Sequence, residues 1–251
     1  MKLIEKIDVC TPNRIGWLEM KLSSVTMNHL WEDIDNAKQN FNKQLAGQIS
    51  RSLLLKDKEN WFFKKICLPA IHSFETYFNN ITGKTLTFNH HYRLGSMWVN
   101  YQKKHEFNPP HNHSGVFSFV IFMKIPYDYR KQHKLALSAQ ANQAQASNFV
   151  FQFIDILGRP QHYSYFLDAD SAGMMLFFPA SLIHMVHPFY KINQDRITVA
   201  GNIMLDSKDT TGTGSENMSG DKTLPLDQTF EFDEPPTRRK GPFVDKNPTK
   251  Q

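Results

Sequence analysis

The chain has 251 residues, 40% of them hydrophobic, which is enough apolar material to bury the core of one sizeable domain. The formal net charge is +5, but acidic residues are interspersed with the basic ones, so the charge favours an anionic ligand weakly and does not indicate nucleic-acid binding. The two cysteines form no CxxC pair and no disulfide framework, so we expect a reducing, cytoplasmic setting. The first residues are too charged for a signal peptide. No apolar run reaches the roughly 20 residues of a membrane helix, so we expect no membrane association.

The first third of the chain predicts a strand followed by helices. Residues 15–23 alternate between apolar and polar, which is typical of an edge strand or an early strand of the main sheet. Residues 28–52 show helical spacing, and residues 60–80 carry the clearest apolar stripe at helical spacing. Pro69 lies within this stripe and is expected to kink or divide the helix. We therefore interpret residues 1–84 as an N-terminal strand with supporting helices.

From residue 85 the spacing of apolar residues becomes that of strands. A strand over 94–103 precedes a turn with two prolines, and the apolar run 117–125 predicts a strand buried on both faces. The polar segment 127–147 is expected to be an inserted loop, a short helix or a lid. Further short strands are predicted at 148–155, 162–167, 174–178, 183–189 and 197–205. Short strands separated by turn signals favour a sandwich or barrel over a βαβ sheet, so the expected fold is mainly β, a jelly roll with N-terminal helices outside it.

The composition changes abruptly after Asp206. Residues 207–251 are rich in Ser, Thr, Gly, Lys and Pro and predict a disordered tail. Phe230, Phe232 and Phe243 are apolar islands in it that could dock onto the domain or a partner, although a loose tail is the preferred interpretation.

Two histidines follow the double-proline turn. His111 and His113 point to the same face if the segment is extended, because side chains alternate along a strand. His184, just after the strand end Phe178-Pro179, can supply a third imidazole. Three neutral imidazoles with open coordination positions suit a catalytic iron, manganese or zinc ion. His187 competes with His184, but it would lie on the other side of an extended strand.

Arg196 begins the last predicted strand. Thr198 and Asn202 share its face, and a guanidinium with a hydroxyl is well suited to holding a carboxylate. Taken alone, Arg196 would be interpreted as a surface residue at a strand start. Its association with the three histidines favours an anion site instead.

The stretch from Trp98 to Asn202 resembles the 2-oxoglutarate- and Fe(II)-dependent oxygenase superfamily, most closely a group of small oxygenases from bacteria and marine phages. The matching pieces are His111-Asn112-His113-Ser114-Gly115-Val116, the run 118–126, Leu176-Phe177-Phe178-Pro179, His184, Pro188-Phe189-Tyr190, Arg196-Ile197-Thr198 and Gly201-Asn202. The resemblance implies a double-stranded β-helix oxygenase core, which we place at residues 85–206.

The resemblance also implies the chemistry. His111 and His184 would bind Fe(II), and Arg196 with Thr198 would hold the tail of 2-oxoglutarate. The strand phase, rather than the resemblance, adds His113 as the third metal ligand. Asn202, Asn100 and Tyr101 are the further residues that we predict to bind this cosubstrate. The implied reaction consumes 2-oxoglutarate and O2, hydroxylates an unidentified substrate and releases succinate and CO2. A phage-encoded enzyme of this kind would work in the host cytoplasm. The sequence does not indicate an oligomeric state.

One position departs from the family pattern. Most members have Asp or Glu two residues after the first histidine, where this chain has His113. The change keeps a ligand in phase but removes a negative charge. Ligation of iron by three histidines, another metal, a carboxylate from elsewhere in the chain and loss of activity are all compatible with it.

Two other functions remain open from the sequence. A cupin-like metal enzyme or metal-binding protein would use the same three histidines without 2-oxoglutarate. A non-enzymatic phage or structural protein would use the jelly roll for interaction and the tail as a binding arm. Metal analysis separates the last of these from the other two, and release of succinate separates the oxygenase from the cupin-like protein.

Overall fold

The computed structural model describes residues 16–78 and 92–206. The chain divides into two units, residues 1–212 and 213–251, and all described residues belong to the first. In chain order its elements are β1 (Leu18–Lys21), α1 (Ser24–Asn36), β2 (Ser52–Leu55), α2 (Leu68–Phe78), β3 (Tyr92–Gln102), β4 (Asn108–His111), β5 (Phe117–Lys124), α3 (Tyr129–His133), β6 (Phe149–Ile154), β7 (Pro160–Tyr165), β8 (Met174–Pro179), β9 (Ile183–Val186) and β10 (Arg196–Leu205).

The strands form two sheets in which all pairs are antiparallel. The larger sheet has the strand order β1-β8-β5-β10-β3-β2, and the smaller has the order β4-β9-β6-β7. The predicted mainly β fold with N-terminal helices is therefore confirmed. The first strand lies at an edge of the larger sheet, as its alternating pattern predicted.

Strand β5 is buried on both faces, as its continuous apolar run predicted. Phe117 and Phe119 pack in the cluster that includes the N-terminal helices, whereas Val120 and Phe122 pack in the cluster that includes residues of the smaller sheet. Gly201 on the neighbouring strand β10 allows this close packing. A Cβ atom there would lie 2.5 Å from Cζ of Phe119 and 2.9 Å from the Ser96 carbonyl oxygen.

The first helix is shorter than predicted and lies earlier in the chain. Helix α1 begins after Ser23, whose hydroxyl accepts a hydrogen bond from the amide of Thr26 at 3.3 Å. It ends at Asn36, so the predicted helix over 28–52 is wrong for its second half. There the Asn42 side chain donates to the Ile49 carbonyl (2.6 Å) and accepts from the Ser52 amide (2.9 Å). Such side-chain bonds to the backbone compete with helix formation and lead into β2.

The second helical region continues past Pro69 without dividing. A π-helical turn at Phe63–Cys67 leads directly into α2, in which Pro69 is the second residue. A proline cannot donate the usual helical hydrogen bond, and a wide turn is a common way of accommodating such an irregularity. Helix α2 packs on the outer face of the larger sheet, with the Phe74 ring 5.0 Å from that of Phe117. The predicted packing of helices outside the sheets is observed.

The polar segment after β5 contains α3 and a series of turns, as one of the alternatives predicted. Its two ends are buried: Tyr127 is 6% exposed, and Ser147 is fully buried. The predicted boundary between residues 84 and 85 and the tail 207–251 with its three phenylalanines lie outside the described residues. Within the described ranges, the structure contains no helix that is long and apolar enough to span a bilayer.

Candidate metal centre and anion site

Neighbouring strands of the smaller sheet bring three histidines together. His111 at the end of β4 pairs directly with His184 on β9. His113 lies two residues past β4, and its amide donates to the Ala180 carbonyl at 2.9 Å, which holds it close to β9. One ring nitrogen of each histidine lies within 4.8 Å of those of the other two. The Nε2 atoms of His113 and His184 are 3.2 Å apart. The structure therefore brings His111, His113 and His184 together in space, as the sequence predicted.

Backbone carbonyls orient two of these rings. Nδ1 of His111 lies 2.7 Å from the Pro109 carbonyl oxygen, and Nδ1 of His184 lies 3.0 Å from that of Leu182. A carbonyl oxygen only accepts, so Nδ1 must carry the proton in both rings, which leaves Nε2 with a free lone pair. Histidines that bind metals are commonly held by this arrangement.

Burial keeps the three imidazoles neutral. Desolvation, together with a smaller effect of the neighbouring His111, lowers the pKa of His113 to about 4. Desolvation and the two neighbouring histidines hold the pKa of His184 well below its usual value. The pKa of His111 is also lowered by burial, against the effect of its backbone hydrogen bonds. Neutral imidazole is the form that binds a metal ion, so this donor set fits a divalent cation.

Arg196 is buried beyond the histidines, with only 1% of its surface exposed. Its Nε and Nη2 atoms donate to Oε1 of Gln102, and Nη1 donates to the Tyr127 hydroxyl. The carbonyl oxygens of Ser147 (3.0 Å) and His187 (3.3 Å) accept the remaining bonds. These five contacts equal the number of N–H groups of a guanidinium, and all the acceptors are neutral. A buried charge without a counter-ion is costly, so the site favours an anionic ligand.

A single cavity connects the three histidines with Arg196. Asn100 and Thr198 also line this cavity, as the sequence predicted for residues that bind an anion beside the metal. They face each other across the pairing of β3 with β10. The Ser52 hydroxyl donates to Oδ1 of Asn100 at 2.7 Å and fixes its amide. The cavity therefore combines a cluster of neutral metal-binding groups with a buried cation.

The two other predicted residues lie elsewhere. Asn202 lines a second cavity that borders His111 and His113, and its Oδ1 accepts from the Ser118 hydroxyl at 2.9 Å. Tyr101 is on the opposite face of β3 from Asn100, where the Arg51 guanidinium lies 4.0 Å from its ring centroid. It is not among the residues that line either cavity.

Several groups at the site were not predicted. The acceptors for Arg196 come from Gln102, Tyr127 and the carbonyls of Ser147 and His187, and Ser147 has a left-handed backbone with a φ of 70°. Gln102 could have been found, since strand alternation places it on the same face as Asn100. Tyr127 and Ser147 gave no signal, because they flank a polar segment far from Arg196 in the sequence. No Asp or Glu occurs among the described residues that line the two cavities, so neither cavity offers the carboxylate ligand of the usual family pattern.

A family model matches the central part of the chain. Residues 96–202, less than half of the chain, match the model of a family described as "Putative 2OG-Fe(II) oxygenase". No curated protein matches the chain. The match agrees with the resemblance seen in the sequence, and the description of the matched family names Fe(II) and 2-oxoglutarate.

The solved structures to which this chain is similar have low sequence identity. A viral collagen prolyl hydroxylase from Paramecium bursaria Chlorella virus-1, in complex with 2-oxoglutarate, is 13% identical with a TM-score of 0.44, over 74% of this chain and 94% of that one. A 2OG-Fe(II) oxygenase family oxidoreductase from Burkholderia pseudomallei is 12% identical with a TM-score of 0.46, over 75% and 84%. A prolyl-4-hydroxylase from Pseudomonas putida is 14% identical with a TM-score of 0.44, over 74% and 91%.

Proposed function

We propose that this chain, whose residues 96–202 match the 2OG-Fe(II) oxygenase family, is a non-haem dioxygenase that couples the breakdown of 2-oxoglutarate to hydroxylation of a substrate. Succinate and CO2 are the products from the cosubstrate. The partners are 2-oxoglutarate, O2 and a substrate whose identity the cavities do not specify.

The observation that carries this proposal is the pairing of two unlike sites in one cavity. Three neutral imidazoles form one site, and Arg196, which has no counter-ion among the described residues, forms the other. 2-Oxoglutarate has a 2-oxo acid group that chelates metals and a distal carboxylate. A ligand of this kind can occupy both sites at once. A metal-binding protein without such a cosubstrate would have no need of the buried guanidinium.

Each residue has a defined role in this proposal. His111, His113 and His184 would hold Fe(II), which supplies the activation of O2 when it is bound. Arg196 would bind the distal carboxylate of 2-oxoglutarate, and Thr198 and Asn100 would complete that end of the cavity. Buried aromatic residues of the cavity wall, Phe122, Phe149 and Phe178, would exclude water from the reacting groups. Asn202 would contribute to the second cavity, beside the metal.

The arrangement of strands supports the double-stranded β-helix as the finer description of the fold. From β3 to β10, the larger sheet takes β3, β5, β8 and β10, and the smaller takes β4, β6, β7 and β9. We propose that this jelly roll is the catalytic core over residues 85–206. Residues 1–84 would support it, and residues 207–251 would be a tail outside it.

Binding of 2-oxoglutarate to the Fe(II)-loaded protein, measured by calorimetry without oxygen, tests the function. Arg196→Ala removes a buried, charge-assisted contact and should weaken this binding by about 2–5 kcal/mol while leaving Fe(II) affinity almost unchanged. Arg159→Ala is a suitable control, because Arg159 is exposed and pairs with Asp155.

The outcomes separate the three candidate functions. Fe(II)-dependent binding of 2-oxoglutarate in the wild type, with succinate formed when oxygen is admitted, supports the oxygenase. Metal binding without 2-oxoglutarate binding would favour the cupin-like alternative. Absence of both would favour a non-enzymatic protein. Equal 2-oxoglutarate affinity in Arg196→Ala and the wild type would refute the role of Arg196.

A further inference from the structure

We propose that Gln102 determines the specificity of the anion site, because its neutral amide satisfies the hydrogen bonds of Arg196 without neutralising the charge. The inference rests on the proposed function and deepens it: Gln102 reserves the buried cation for the distal carboxylate of the cosubstrate.

Hydrogen bonds to both the oxygen and the nitrogen of its side-chain amide fix the position of Gln102. It pairs directly with Arg196 across β3 and β10 and is 3% exposed. Its Oε1 accepts two bonds from the guanidinium, from Nε at 3.0 Å and from Nη2. Its Nε2 donates to the backbone carbonyl of Glu106. This carbonyl can only accept, so the amide nitrogen must face Glu106 and the amide oxygen must face Arg196.

The charge of the residue at this position decides what else Arg196 can bind. Two contacts from one guanidinium to one oxygen-bearing side chain are the arrangement in which a carboxylate would form a strong ion pair. A glutamate has nearly the same shape as glutamine and would neutralise Arg196 within the protein. An incoming carboxylate would then meet a negative neighbour. With Gln102, the described contacts of Arg196 are all neutral, so its positive charge is not cancelled and an incoming carboxylate could take the place of one of these neutral acceptors.

A purely positional role for Gln102 predicts a different order of variants. Both Gln102→Glu and Gln102→Met lose the amide that donates to the Glu106 carbonyl. If Gln102 only holds Arg196 in place, then Gln102→Glu, which keeps the shape and the acceptor for Arg196, should be tolerated better than Gln102→Met, which keeps only the length. If the charge is decisive, the order reverses. Methionine leaves Arg196 without a counter-ion, whereas glutamate supplies one.

The experiment is anaerobic calorimetry of 2-oxoglutarate binding to the Fe(II)-loaded full-length protein and its variants. Gln102→Glu should weaken binding at least roughly thirtyfold, while Gln102→Met should stay within roughly fivefold of the wild type. Gln152→Glu makes the same chemical change on β6, outside both cavities, and should have no effect. Pyruvate has the same 2-oxo acid group but no distal carboxylate. The wild type should therefore prefer 2-oxoglutarate to pyruvate, and Gln102→Glu should lose most of this preference.

The results distinguish a failure of the role proposed for Gln102 from a failure of the proposed dioxygenase function. No binding of 2-oxoglutarate to the wild type overturns the proposed function itself. Tight wild-type binding with an equally tight Gln102→Glu variant, or a Gln102→Met variant as weak as Arg196→Ala, overturns only the role of Gln102. Melting temperature and Fe(II) affinity of each variant report whether it is folded. If Gln102→Glu does not fold, the affinity of Gln102→Met for 2-oxoglutarate and for pyruvate tests the role of Gln102. Retention of the wild-type preference for 2-oxoglutarate supports that role, and its loss overturns it.

Discussion

At the scale of single residues, His113 changes the charge of the proposed metal site. A carboxylate in its place would cancel one of the two positive charges of a divalent ion, whereas three neutral imidazoles cancel none. The ion is the largest local charge in such a site and governs what binds next to it. A site with three histidines should therefore attract the 2-oxo acid group of an anionic cosubstrate more strongly than the usual ligand set. Arg196 adds to this preference at the other end of the cavity.

Substitution of His113 tests its ligation directly. His113→Ala should weaken Fe(II) binding by more than roughly a hundredfold, since loss of residues that merely support ligands already costs 10- to 100-fold. His113→Asp should retain the metal, because it restores two histidines and one carboxylate, although the shorter side chain will make the site imperfect. The measurement is Fe(II) affinity together with succinate formation for the three proteins.

His162→Ala provides the control, since His162 lies on β7 and is not part of the three-histidine cluster. Fe(II) affinity in His113→Ala equal to that of the wild type would exclude ligation by three histidines. The third ligand would then have to come from another part of the chain.

At the scale of elements, the site depends on pairing between segments that are distant in sequence. β4 and β9 place His111 opposite His184, and β3 and β10 place Gln102 opposite Arg196. Helix α2 packs on the outer face of the larger sheet. The Phe74 ring of this helix, 2% exposed, packs 5.0 Å from Phe117 and 6.4 Å from Phe177. The sheet that carries Gln102 and Arg196 is therefore packed against a helix that contributes no residue to the site.

Truncation of Phe74 should destabilise the fold. Phe74→Ala leaves a cavity between α2 and the larger sheet and should lower the free energy of unfolding by about 3–5 kcal/mol. Tyr77→Ala on the same helix should change it by less than about 1 kcal/mol, because half of Tyr77 is exposed. Chemical denaturation measures both values. Similar losses in the two variants would mean that α2 is not anchored through Phe74.

At the scale of the whole molecule, the two sites in one cavity link ligand binding to stability. Ligands that bind only the folded protein raise the free energy of unfolding by about 2.7 kcal/mol at a concentration one hundred times the Kd. Fe(II) should therefore raise the melting temperature, and 2-oxoglutarate should raise it further.

Thermal denaturation under anaerobic conditions checks this linkage. His184→Ala should lose the stabilisation by Fe(II), whereas Arg196→Ala should keep that stabilisation and lose the further increase with 2-oxoglutarate. A melting temperature of the wild type that neither ligand changes would contradict a joint site for both.

The sequence alone determined the fold class and most of the chemical groups. Strand alternation and ligand chemistry are local properties, so they indicated the mainly β fold, the strand buried on both faces and the grouping of His111, His113, His184 and Arg196. Only the tertiary structure decided what surrounds them. The neutral partners of Arg196 come from β3, from both ends of the segment that contains α3 and from the chain after β9, and Asn202 lies in the second cavity. Such contacts join residues far apart in the chain, and no local pattern specifies them.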